Sequence, residues 1–160
     1  MTCLVVVPSD LAAIERQAAA AYPEECCGIL LGKAEGGRMV VERIVPADNE
    51  RQESRGNRFV IGPETVLAAQ RAARAEELEI VGYYHSHPDH PAQPSEFDRE
   101  NAWPGVSYLI VAVAHGKPSE VRSWRLADDR SAFVEEPIER LSEERAAAGP
   151  PVRERSESAP

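Results

Sequence analysis

The chain has 160 residues, 42% of them hydrophobic, and a formal net charge of -9 at neutral pH. That length and apolar content fit one domain with its own core; the acidic balance argues against a nucleic-acid backbone as partner, and no run is long and apolar enough to span a bilayer. Three cysteines, two of them adjacent as Cys26-Cys27, make a poor disulfide framework, and the start is not a basic signal peptide, so a soluble protein of the reducing cytoplasm is expected.

Residues 3–7 read as a short buried strand. Pro8-Ser9-Asp10 supplies a stop and a cap for a helix over residues 11–21, with Leu11, Ile14, Ala18 and Ala21 at helical spacing and Glu15, Arg16 and Gln17 turned outward. Pro23 ends that helix. The apolar residues 27–32 follow as a strand, and Gly36-Gly37 turns the chain into residues 38–45, which is a hairpin signal. Residues 47–58 are polar without an apolar period and read as a surface loop; Phe59-Val60-Ile61 reads as a short strand. Gly62-Pro63-Glu64 opens a second helix, Ala-rich and running to about Glu77.

The β-branched and aromatic run Glu79-Ile80-Val81-Gly82-Tyr83-Tyr84 predicts a buried strand leading into His85-Ser86-His87. Residues two apart on a strand point the same way, so His85 and His87 can aim at one point. Pro88, Pro91 and Pro94 forbid a helix in the next stretch, and Ser95 is a good N-cap for a short helix over residues 96–101 that carries Asp98 in its first turn. Two imidazoles and a carboxylate leave a fourth tetrahedral position for water, the layout of a catalytic zinc rather than a structural one. A His-x-His pair alone is weak evidence, because such pairs also occur in turns and in satisfied polar clusters. Downstream, residues 107–113 read as a buried strand, residues 115–118 as a turn and residues 120–126 as an alternating, half-exposed strand. Beyond about Pro137 the core signal fades. The domain is therefore set at residues 1–136, and residues 137–160, rich in Glu, Arg, Ser, Ala and Pro, form a tail with the composition of a disordered segment.

His85-Ser86-His87-Pro88, ten residues between His87 and Asp98, and Ser95 three before Asp98 together resemble the signature of the JAMM metalloproteases, also called MPN-plus domains: a glutamate, then His-x-His-Pro, then Ser-x-x-Asp. The upstream glutamate of that family stands three residues before a glycine at the start of a strand. In Tyr22-Pro23-Glu24-Glu25-Cys26-Cys27-Gly28 the match lands on Glu25, with Glu24 the less fitting neighbour. By local spacing alone Glu25 is a solvated charge at a helix-to-strand junction, and Ser95 an ordinary helix cap.

The resemblance implies an α/β fold of the α+β type, like that of the cytidine deaminases: a mixed, curved, partly barrel-like sheet flanked by helices. It implies zinc on His85, His87 and Asp98, Glu25 as general base and acid, and Ser95 as hydrogen-bond donor to the oxyanion. A compact single domain with a Pro-x-Glu-x-Cys-Gly entry looks most like the small bacterial members. Those act on ubiquitin-like sulfur-carrier proteins of the ThiS/MoaD kind, cutting the amide after a C-terminal Gly-Gly to release cysteine or a short extension. The alternatives are a deubiquitinase-like isopeptidase and a non-catalytic MPN scaffold. A zinc nucleoside deaminase is excluded, because it needs His-x-Glu with a distant Pro-Cys-x-x-Cys. His90 reads as an exposed loop residue; Trp103 and Trp124 read as packing residues; adjacent Cys26 and Cys27 lack the gap of a metal knuckle.

Overall fold

The computed structural model describes residues 2–49 and 61–142. Its elements are β1 (Cys3–Val6), α1 (Pro8–Ala21), β2 (Cys27–Glu35), β3 (Arg38–Ala47), α2 (Pro63–Ala75), β4 (Glu79–Pro88), α3 (Glu96–Glu100), β5 (Ser107–Ala114), β6 (Lys117–Leu126), β7 (Phe133–Glu136) and β8 (Ile138–Arg140). Most of the expected segments are present with shifted ends. The first helix starts at Pro8, because proline needs no N–H at a helix's first position and its fixed φ suits the turn. The strand carrying the histidines continues through Pro88. Most of the expected surface loop, and Phe59 and Val60 of the expected strand, lie outside the described residues; Ile61 itself belongs to no strand.

The strands form one mixed sheet in the order β7-β6-β5-β4-β2-β3-β1-β8. Parallel pairing joins β1 to β3, β1 to β8, and β4 to β5, and the remaining neighbours are antiparallel. The two outermost strands, β7 and β8, are separated in sequence by Pro137 alone. One residue cannot cross the width of a flat eight-stranded sheet, at about 4.8 Å per strand, so the sheet curls until its ends meet. Arg38 on β3 pairs with Glu139 on β8 at 2.8 Å, reaching over β1 between them. Beyond the boundary expected at residue 136, Ile138–Arg140 is a strand paired with β1. Three residues are too short to show a period, and their pairing is supplied by a partner 134 residues earlier (Leu4↔Ile138). Residues 143–160 of the expected tail lie outside the described residues.

The two longer helices, α1 and α2, each cover one face of the sheet. Leu11, Ile14 and Ala18 of α1 pack with Leu4, Val6, Leu30, Val81, Tyr84, Leu109, Val111 and Val113. Ala69 and Ala73 of α2 pack on Ile29 and Leu31, with Ile80 and Tyr83 beside them. Alternation along β4 therefore sends Tyr84 and Ser86 toward α1, and Tyr83, His85 and His87 to the α2 face. Gly28 permits the tight fit on the α1 side: a Cβ there would stand 2.1 Å from the Tyr84 ring. Among the described residues no helix is long and apolar enough to cross a membrane.

Candidate metal centre

His85 and His87 project from the C-terminal end of β4 and are almost fully buried, at 1% and 6% exposure. The prolines after them keep the chain out of a helix until Ser95, whose hydroxyl accepts the Asp98 N–H at 3.0 Å while the Ser95 N–H donates to Asp98 Oδ2 at 2.9 Å. That reciprocal cap opens α3 and turns the Asp98 carboxylate back over the strand end. The three ligand-type atoms then converge. His85 Nε2 lies 3.1 Å from His87 Nε2 and 3.3 Å from Asp98 Oδ2, and His87 Nε2 lies 3.2 Å from Asp98 Oδ2. Among the described residues these three form the group able to hold a metal ion.

The spacing can be tested against a metal. Nitrogen and oxygen ligands about 2.0–2.1 Å from a tetrahedral zinc stand about 3.3–3.4 Å from one another, close to the separations found here. The hydrogen bonding agrees. His87 Nδ1 sits 2.8 Å from the Pro91 carbonyl oxygen, which can only accept, so Nδ1 carries the hydrogen and Nε2 of the neutral ring presents a lone pair. Burial lowers the pKa of His85 against the pull of Asp98, which keeps that ring in its neutral, ligating form. Burial alone would raise the Asp98 pKa. The groups facing it, the His85 and His87 rings and the Ser95 N–H, outweigh it and hold the carboxyl well below its usual range. Lone pairs and a carboxylate oxygen gathered this closely repel unless a cation lies among them, and the donor set suits zinc.

Glu25 separates from Glu24 in the fold. Glu24 is exposed, whereas Glu25 is 4% exposed and lines the same cleft as His87 and Ser95, about 450 Å³ in volume. Counting on from the Cys27↔His85 pair sets Glu25 opposite His87. Among the described residues Glu25 Oε1 has no hydrogen-bond partner. Burial, with the negative charge of Asp98 second, pushes its carboxyl up to about 9. Its backbone is clamped: the Cys26 N–H donates to Ser86 Oγ at 2.8 Å, the Ser86 N–H donates to the Cys26 carbonyl at 3.1 Å, and Asn49 Nδ2 donates to the Glu25 carbonyl at 3.3 Å. Ser86, between the two histidines, escaped the sequence reading; its small polar side chain pointing to the opposite face is the signal that marks it. Burial pushes the Cys26 thiol up to about 11, which keeps it protonated and removes it as a ligand.

His90 is exposed and lines the cleft. His115 lies in the β5–β6 turn, where its N–H donates to Asp89 at 2.8 Å. A second depression of about 230 Å³ adjoins His85 and Asp98, walled by Tyr83, Phe97, Trp103 and Tyr108. Trp103 is 65% exposed, so it is not the packing residue that its composition suggested.

The chain is similar to a described family and to several known proteins. The family described as prokaryotic homologs of the JAB domain matches residues 8–127. The chain is 33% identical over 138 residues to the CysO-cysteine peptidase of Mycobacterium tuberculosis, covering 84% of this chain and 90% of that protein. It is 36% identical over 91 residues to the desampylase of Haloferax volcanii, covering 56% of this chain and 63%, under two thirds, of that protein. It is 35% identical over 91 residues to a probable TtuB-protein conjugate cleaving protease of Thermus thermophilus, covering 57% of each. The solution structure of a protein from Desulfitobacterium hafniense superposes with a TM-score of 0.77 at 31% identity, covering 88% of this chain and 94% of that one. A JAB1/MPN domain protein from Archaeoglobus fulgidus shares the fold at 19% identity and a TM-score of 0.50, covering 87% of this chain and 99% of that one.

Proposed function

The chain belongs to the prokaryotic JAB-domain family, and from that premise we propose that it is a zinc-dependent peptidase that cuts a ubiquitin-like sulfur-carrier protein. The bond cut is the amide after the carrier's C-terminal Gly-Gly, and the product released is cysteine or a short C-terminal extension. The observation that carries this reading is the convergence of His85 Nε2, His87 Nε2 and Asp98 Oδ2 within 3.3 Å of one another beside the buried carboxyl of Glu25. Zinc held by those three residues supplies Lewis acidity at neutral pH toward a water molecule and a carbonyl oxygen.

The chain's own groups do the rest. Glu25 takes the proton of the attacking water and returns it to the departing amine; its burial gives it the basicity for that task, and a cation bound beside it would lower its pKa from about 9. Ser95 Oγ uses its lone pair for the Asp98 N–H, which leaves its hydroxyl hydrogen available to the carbonyl oxygen as negative charge builds there. A Gly-Gly tail suits a closely walled cleft, since glycine lets the backbone approach where a side chain would clash.

A second reading is supported by two relatives, the desampylase and the TtuB-protein conjugate cleaving protease, whose names point to protein conjugates. Offering the zinc-loaded protein a carrier extended by a C-terminal cysteine and the same carrier linked to a lysine side chain decides between them. Faster cleavage of the first supports the proposal and faster cleavage of the second supports the alternative. Cleavage of neither removes the peptidase reading and brings forward a non-catalytic scaffold.

A further inference from the structure

The loop between β4 and α3 has no regular structure, yet Ala92 in its middle is fully buried, its methyl packed with Ile110 and Ala112 of β5 beside Trp124. Side chains of β6 take both backbone polar groups of Ala92. Its N–H donates to Glu120 Oε2 at 3.1 Å, and its carbonyl accepts the Trp124 indole N–H at 3.0 Å. Glu120 and Trp124 are four apart on a strand and so share a face.

The Ala92 N–H and the Pro91 carbonyl belong to one peptide unit, which is planar, so fixing one end fixes the other. The Pro91 carbonyl is the group that accepts His87 Nδ1–H at 2.8 Å. A continuous relay results: the Glu120 carboxylate holds the N–H at one edge of the plane, and His87 donates to the oxygen at the other. The Ala92 N–H is also the first cause that holds the Glu120 carboxyl below its usual range, ahead of Arg122. Hydrogen bonds in series polarise one another, so the charge on Glu120 strengthens the bond to His87 through the peptide. Imidazoles that ligate metals commonly donate their second N–H to a carboxylate or carbonyl, which sets tautomer and orientation.

We propose that Glu120 and Trp124 are positioning residues for the metal centre, holding the Pro91–Ala92 peptide so that His87 keeps its hydrogen on Nδ1 and its Nε2 aimed at His85 and Asp98. The inference rests on the metal reading of that point. Two readouts test it. In the metal-free protein, the His87 Nδ1–H proton exchanges slowly with solvent in the wild type and fast in Glu120→Ala. In the loaded protein, zinc affinity measured by chelator competition falls about 10- to 100-fold in the double variant Glu120→Ala/Trp124→Phe. Glu120→Gln, whose amide oxygen still accepts the Ala92 N–H, stays within threefold of wild type. So does Arg122→Gln, which loses the contacts to Glu120 and Glu135 without touching the loop. Should the double variant fail to fold, Glu120→Ala alone carries the comparison, because Glu120 is partly exposed. Zinc affinity within threefold of wild type in a folded Glu120→Ala, or unchanged exchange of the His87 proton, overturns the proposal. A wild type that takes up no zinc overturns the metal reading instead, and the exchange measurement then still decides the role of Glu120.

Discussion

Glu136 and Asp98 are both carboxylates withdrawn from water in one curled sheet, and they meet different company. Glu136, with its side chain 1% exposed, accepts the hydroxyls of Ser107 at 2.6 Å and Ser123 at 2.7 Å and pairs with Arg125 at 3.1 Å. Its neighbours are donors and a cation, all supplied by the protein. Asp98, 9% exposed, faces two imidazole Nε2 atoms and the Ser95 N–H, and its charge is felt by a second buried carboxyl, Glu25. The first cluster is neutralised from within and joins the seam of the sheet, where Arg125 also reaches the Gly37 carbonyl. The second is arranged to be neutralised by a cation from outside the chain. A buried acid therefore marks a site only when its neighbours leave the charge to something else.

The sharpest way to break this contrast is to remove that cation. A strong chelator should reduce cleavage of the carrier substrate to background, about 1,000-fold or more, and added zinc should restore it. Chelation that leaves activity untouched would put the chemistry elsewhere. Next in size is Glu25→Gln, which should retain zinc while kcat falls about 100- to 10,000-fold, read by steady-state kinetics beside metal analysis.

The same variant carries a pH signature in the metal-free protein. The folded carboxyl of Glu25 is raised to about 9 from an unfolded value near 4.5, so the folded state holds the extra proton between those values. Stability is then full below about pH 4.5 and declines as pH rises toward 9. Thermal melts across that window should fall in the wild type and be flatter in Glu25→Gln; parallel curves would contradict the burial of an unpartnered carboxyl.

Glu136→Gln probes the other cluster. Stranding Arg125 should cost about 3 kcal/mol in denaturant unfolding with zinc content unchanged. A loss of zinc there would erase the distinction between the two clusters. The smallest stability effect belongs to Ser95→Ala: about 1 kcal/mol from the lost cap. A kcat loss of about 100-fold at unchanged KM would accompany it if Ser95 also serves the oxyanion, and Ser95→Thr should recover both.

Much of this was readable in the chain because it is local. The β-branched and aromatic run before His85, the three prolines and the Ser95 cap each act within a few residues, and they suffice to bring His85, His87 and Asp98 together. Gly36-Gly37 announced its hairpin for the same reason, both residues having positive φ. What depends on distant partners was not readable. β7 and β8 are four and three residues long and draw their pairing from β6 and β1. Glu25 is picked out from Glu24 by its place three residues before Gly28 in the family motif, but its burial against β4 is encoded by no local pattern. Glu120 and Trp124 read as half-exposed strand residues until the loop they grip is folded against them.

The most direct test of the central claim is elemental mass spectrometry of metal content, on protein purified without added metal, in wild type and in Asp98→Ala. About one zinc per chain in the wild type and none in the variant is the expected result. No zinc in either, even after reconstitution, would contradict the metal centre and leave His85, His87 and Asp98 as a polar cluster of a binding domain.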